Sequence, residues 1–229
     1  MSLSKAVVVT EDVKPRLRGM SHAAAFVAAL AGCVLLALTP ATGTQHLAGM
    51  VFGVSLVLMF GISATYHCPT WSPATYQRLQ RFDHAAIYVL IAGTFTPLAA
   101  LDVAGGWSRY VLWAMWGAAL TGAGLSLLGR SGPRGLRSVL YVALGTVSLP
   151  VMLRLPEVIG TASVRWLVFG AILYALGAGV YARRRPDPWP AVFGYHELFH
   201  LMVIAAASVH YGVILDVLWG RPPASSAAP

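Results

Sequence analysis

Two histidines four residues apart, His196 and His200, bracket a glutamate in the string "HELFH". That spacing puts both imidazoles on one face of a helix, about one turn apart. H-E-x-x-H on a helix is a zinc motif; in metalloproteases the histidines bind the metal and the glutamate, here Glu197, is the general base. Zinc sites take at least three protein ligands, so a third must be found. The longer metalloprotease pattern places Gly and His three and six residues past the second histidine, where this chain has Val203 and Ala206. No glutamate follows Glu197, and the one carboxylate downstream is Asp216, sixteen residues past His200. On a helix that is roughly 24 Å away. Intramembrane metalloproteases take an aspartate from an L-D-G segment on another helix, but "LDV" at 215–217 continues the same one. A protease is therefore not supported, and a third ligand must lie upstream.

The elements that would carry such ligands are membrane helices. Of 229 residues, 57% are hydrophobic and only 10% charged, and mean hydropathy is +0.68. Soluble domains carry about 25% charged residues, so these charges are too few to cover a water-facing surface. About 20 apolar residues cross the hydrocarbon of a bilayer. Seven stretches qualify: 20–39, 47–67, 82–101, 107–128, 136–153, 164–182 and 193–218. Prolines and glycines mark most of the breaks, among them Pro40, Pro69, Pro73, Pro133 and Pro186. The fifth span is the weakest, interrupted by Gly145, Pro150 and Arg154. Backbone polar groups in lipid must be satisfied internally, so an all-α seven-helix bundle is expected.

Charge sets the direction of threading. The net charge is +8, but the basic residues fall in short gaps between apolar runs instead of forming a patch with exposed aromatics, which excludes a nucleic-acid partner. Twelve Lys and Arg lie on the side of the N-terminus and the second, fourth and sixth loops, against four on the other. The positive-inside rule then predicts a cytoplasmic N-terminus and an external C-terminus. This is opposite to the G-protein-coupled receptors. A retinal-type lysine is also absent, since the two lysines are Lys5 and Lys14. The run "AAAFVAALAGCVLLAL" is read as the first span, not as a cleaved leader. Cys33 and Cys68 are too few for a disulfide framework. The expected organisation is a cytoplasmic tail at 1–18, a membrane domain at 19–219 and an external tail at 220–229, both tails disordered.

Threading narrows the search for the third ligand. His196 and His200 start the seventh span, at the cytoplasmic face. The second span ends there with "GISATYHC" and the third begins there with "RFDHAAIY". His67, Asp83 and His84 are the candidates. Ser63 precedes His67 by four and shares its face, where its hydroxyl could bond a water or a ligand. Asp83 could hold that water or orient a histidine, and an aspartate just inside a span tends to face the bundle. Ser63 and Asp83 could equally be a cap and interhelical glue. His22 and His46 are read as histidines tolerated at headgroup level, and His84 as a packing residue. His210 stays open between a structural hydrogen bond and a polar cavity.

The segments "SATYH", "RFDHAAIYVLIAGTFTP" and "GYHELFHLMVIAAASVHY" resemble the bacterial hemolysin III proteins. These belong with the progestin and adiponectin receptor family, in a wider superfamily that includes alkaline ceramidases. The resemblance covers roughly 18–219. It implies seven transmembrane helices with a cytoplasmic N-terminus, Zn2+ held by His67, His196 and His200, and Ser63 and Asp83 as catalytic residues around a water. By analogy with the ceramidases it also implies hydrolysis of a lipid amide, ceramide-like, in a bacterial plasma membrane, with membrane lipids as partners. The alternative is a zinc-stabilised membrane protein without enzymatic activity, acting in membrane homeostasis or in cytolysis. The family's receptors carry Gln where this chain has Glu197, which weakens that residue as an obligatory base. Glu197 is instead expected to be a polar residue near the cytoplasmic face, paired with Arg183, Arg184 or Arg185. Phe95 stands where tyrosine is common in the family, and "SATYH" differs slightly from the usual "SSTLYH". A long N-terminal regulatory domain is not read in the chain, so a hormone-receptor role is not expected.

Overall fold

The computed structural model describes residues 14–101 and 106–220. The expectations for 1–13, 102–105 and 221–229, including most of both tails and the external Arg221, lie outside the described residues. The helices are α1 (Met20–Ala37), α2 (Gly43–His67), α3 (Pro73–Ala99), α4 (Ser108–Leu127), α5 (Arg134–Thr146), α6 (Leu149–Met152), α7 (Pro156–Arg183) and α8 (Tyr195–Leu218). Among the described residues seven spans are long and apolar enough to cross a bilayer, with α5 and the short α6 making one span. The chain is an all-α, multi-pass integral membrane protein.

The helices close into a ring in the order α1, α2, α3, α4, α5, α7, α8, with α8 returning to α1. Helix α3 also touches α5 and α8, and α2 touches α8, so α2, α3 and α8 meet inside the ring. Burial follows. In α3, 72% of the most apolar 18-residue window is buried, against 22% in α1 and 17% in α7. The outer helices instead present Val27, Leu30, Trp113, Phe169, Ile172 and Leu176 outward. In water such a surface would drive aggregation; in a bilayer it faces acyl chains. Exposed Trp71 and Trp189 at one end, with Trp107 and Trp219 at the other, fit the two interfacial aromatic belts.

Three boundaries differ from the sequence reading for physical reasons. Helix α3 starts nine residues before 82, because Ser72 caps it by accepting from the Thr75 amide at 3.4 Å and Pro73 occupies its first turn. That extension is polar, so hydropathy misses it, and Pro73 opens a helix instead of breaking one. Helix α7 starts at Pro156, before the expected 164, but Gly160 (φ 79°, ψ 154°) breaks its first turn from the rest. The fifth span does divide, at Val147–Ser148, where the Ser148 hydroxyl donates to Gly145 O at 2.7 Å.

Small residues let the central helices approach. A Cβ on Gly93 of α3 would collide with the Ser55 hydroxyl of α2, and Ser55 is pinned by donating to Phe52 O at 2.7 Å. Gly93→Ala gains about 0.8–1 kcal/mol of helix propensity, but overpacking costs about 1–3 kcal/mol. The collision is with a fixed group, so the second effect wins. A lower melting temperature in detergent, by an amount equivalent to about 1 kcal/mol, is the expected result.

Candidate metal centre

Four helices converge at one end of the bundle, the end that the charge bias assigns to the cytoplasm. Helix α1 brings His22 in its first turn. Helix α2 brings Ser63 and His67 in its last two turns. Helix α3 brings Asp83, and α8 brings His196 and His200 in its first two turns. The histidines of α8 share a face as their spacing requires, and the antiparallel end of α2 meets them. Ligand nitrogens of His67, His196 and His200 all lie within 4.8 Å of one another. The ring centroids stand 4.7 Å (His67–His196), 5.0 Å (His67–His200) and 4.6 Å (His196–His200) apart, each pair edge-on.

This arrangement fits a metal ion. His67 Nε2 and His200 Nδ1 are buried and have no hydrogen-bond partner. Buried polar atoms are almost always paired, and an orphan costs about 1–3 kcal/mol. Three neighbouring imidazoles without a carboxylate bonded among them are a set that a bound cation would satisfy together. Imidazole donors suit zinc, copper, iron or nickel more than magnesium or calcium.

Asp83 completes one side. Its Oδ2 is 4.0 Å from His67 Nε2, and its Oδ1 is buried without a partner. A small cavity beside it is lined by Asp83, His84, Ser138, Tyr141, Tyr181 and His196, between α3, α5, α7 and α8. Ser63 stands beside Asp83, but its clearest hydrogen bond is to His22 Nδ1, at 2.8 Å.

His22 is the residue the sequence reading missed. It is fully buried, its ring turned into the bundle and not out toward the headgroups. Its ring stacks on His200, 3.7 Å between centroids and 8° from parallel, so it braces that ring while holding the Ser63 hydroxyl. Depth put the start of the first span at the same membrane face as the end of the second and the start of the seventh, but did not say which way the ring points. His84 is buried outside the three-histidine group, and its backbone carbonyl accepts from Tyr141 Oη at 3.2 Å. His46 is half-buried at the far end of α2. His210 makes a structural contact through Nε2 to Leu167 O at 2.9 Å.

Glu197 also departs from expectation. It pairs with Arg18, not with Arg183, Arg184 or Arg185. Its other oxygen accepts from the Gly194 amide at 2.8 Å, which caps the first turn of α8. Residues 14–18, expected to be disordered, form a strap across this end of the bundle. Lys14 Nζ donates to Cys68 O at 2.9 Å, and the Arg16 and Leu17 amides each donate at 3.1 Å, to Ala191 O and Val192 O. Gly19 (φ +84°) turns the strap into α1 so close to α2 that a Cβ there would lie 2.6 Å from His67 Cβ.

Fold and site together define a seven-helix membrane protein with a buried histidine centre near one face. The Haemolysin-III related family model matches residues 11–211, and the chain belongs to that family. It is similar to the Hemolysin-3 homolog of Bacillus subtilis (strain 168), 28% identical over 165 residues covering 72% of this chain and 74% of the relative. Hemolysin-3 of Bacillus cereus is 24% identical, covering 92% and 95% of the two chains. The human Monocyte to macrophage differentiation factor is 23% identical, covering 88% and 83%. The Drosophila melanogaster Adiponectin receptor protein, 27% identical over 80% of this chain and 46% of its own length, shows the link to the receptors.

Proposed function

We propose that this chain is a zinc-dependent hydrolase of lipid amides, ceramide-like in class, acting in a bacterial plasma membrane. His67, His196 and His200 would hold the ion. Zinc, when bound by three histidines, supplies Lewis-acid polarisation of a carbonyl and acidifies water toward neutral pH. The chain's own groups do the rest. Asp83 takes the proton from the attacking water and returns it to the leaving amine. Ser63, held by His22, orients the water or donates to the developing oxyanion. The strap closes the cytoplasmic mouth, so an amide lipid would approach from within the bilayer, past the cavity at Asp83 and His196.

The observation that carries this reading is the Asp83 carboxylate. It is buried in a membrane span 4.0 Å from a histidine of the cluster, with one oxygen unpartnered. A purely structural metal would need no such neighbour. The test is hydrolysis of fluorescent lipid amides by purified protein, with His200→Ala as control. Turnover by the wild type and none by the variant is expected; equal turnover sinks the proposal.

A second reading rests on where the histidines sit. His67 ends α2, and His196 and His200 begin α8, so an ion there would staple two helices that otherwise touch little. The chain would then be a zinc-stabilised membrane protein without chemistry. Cytolysis is the weaker form of this reading, because seven lipid-embedded spans do not leave one membrane for another. Chelation separates the cases. On the hydrolase reading, metal-free protein loses turnover but keeps a cooperative thermal transition, and zinc restores the rate. Loss of the transition on chelation, with no turnover at any zinc level, would favour the staple.

A further inference from the structure

A second, larger cavity of about 300 Å³ opens at the cytoplasmic end of α3, against the loop between α4 and α5. This volume is at the lower end of the roughly 300–1,000 Å³ typical of ligand sites. Its walls are Gln77, Gln80, Arg81 and His84 from α3, with Ser131 and Arg137 from the facing side. No carboxylate lines it, and neither arginine has an ion pair among the described residues. Two cations thus face one polar cavity without a counter-charge.

The two guanidinium groups are held differently. Arg137 Nη1 donates to Gly132 O at 2.7 Å, which fixes the side chain, while its Nε is buried and has no partner. Arg81 lies over Gly129, whose left-handed backbone (φ +72°) puts its missing Cβ 3.1 Å from the guanidinium carbon. A side chain at 129 would push Arg81 away. Helix α5 begins at Arg134, directly after this loop, and the positive end of its dipole adds to the field. Planar arginine forks match phosphate oxygens two at a time.

We propose that this cavity binds a phosphate group, and that its source is the headgroup of an anionic phospholipid in the cytoplasmic leaflet. The charge bias of the loops places the cavity at the depth of those headgroups, where basic pockets between transmembrane helices recognise anionic lipids. The site is independent of the hydrolase reading. It adjoins the metal centre, because His84 lines both cavities and follows Asp83 in sequence.

The test uses the full-length chain in a non-ionic detergent. Native mass spectrometry measures retention of phosphatidylglycerol and of phosphatidylcholine from mixed micelles, and calorimetry measures inorganic phosphate. Wild type should retain phosphatidylglycerol about tenfold more tightly than phosphatidylcholine, and Arg81→Gln and Arg137→Gln should each remove about that factor. Arg81→Lys should recover part of it, as charge without the fork. Arg81 is exposed, so Arg81→Gln keeps the fold and decides the matter even if Arg137→Gln disturbs the loop. Arginine-dependent binding of inorganic phosphate, with no lipid preference, would overturn the lipid source and leave a soluble phosphate ligand. Lipid and phosphate binding unchanged in both Gln variants would overturn the site itself.

Discussion

Asp83→Asn is expected to slow lipid-amide hydrolysis by about 10²–10⁴-fold, the usual contribution of a positioned acid–base group, while zinc per chain stays unchanged. The substitution preserves volume and one acceptor oxygen but replaces the other, basic oxygen with an amide donor. Asp83 has a cost that something must justify: an aspartate at the centre of a transmembrane helix is disfavoured by about 2.5–3.5 kcal/mol on insertion scales. Near an interface the penalty is smaller, yet the residue is buried and not turned to the headgroups. No arginine or lysine pairs with it among the described residues, and its near neighbours are His67 and Ser63. Rate and metal content measured on the same preparation separate three roles. A slow enzyme with full zinc assigns proton transfer to Asp83. A slow enzyme with depleted zinc makes it a ligand. An unchanged rate removes it from the chemistry.

The spans were legible because the bilayer imposes length and apolarity on every helix. What hydropathy missed was polar helix outside the hydrocarbon, as at 73–81, where the cap at Ser72 and Pro73 was the readable sign. The three histidines were nearly legible. Spacing put His196 and His200 on one face, and threading reduced the rest to His67, Asp83 and His84. Choosing His67 needed the family resemblance, because depth alone does not say which way a side chain points. His22 was misread for the same reason: its place at the first turn of α1 was correct, but the ring faces inward onto His200. The strap was not legible. Its contacts from Lys14, Arg16 and Leu17 are to backbone carbonyls of other loops, and such acceptors leave no mark in the sequence.

Glu197→Ala is expected to destabilise the protein by about 1–3 kcal/mol, the cost of leaving partners of a part-buried ion pair unsatisfied. Only 2% of the Glu197 side chain is exposed, against 20% for Arg18. Its loss leaves the guanidinium without its carboxylate and the Gly194 amide without its cap. Both losses fall on the turn that carries His196 and His200, so metal affinity should drop along with the melting temperature. Arg18→Ala should cost at least as much, because it strands the more deeply buried partner, Glu197, and the double variant less than the sum, because partners in one pair are not additive. Glu197→Gln is the informative substitution. It keeps the volume and the acceptor for Gly194 while losing the charge, so a smaller loss of stability and turnover close to wild type are expected. Thermal unfolding, zinc content and rate on these four variants give the answer. If Glu197→Gln abolished turnover with zinc and melting intact, while Asp83→Asn remained active, the proton would belong to Glu197. The protease-like reading of "HELFH" would then return despite the missing downstream ligand.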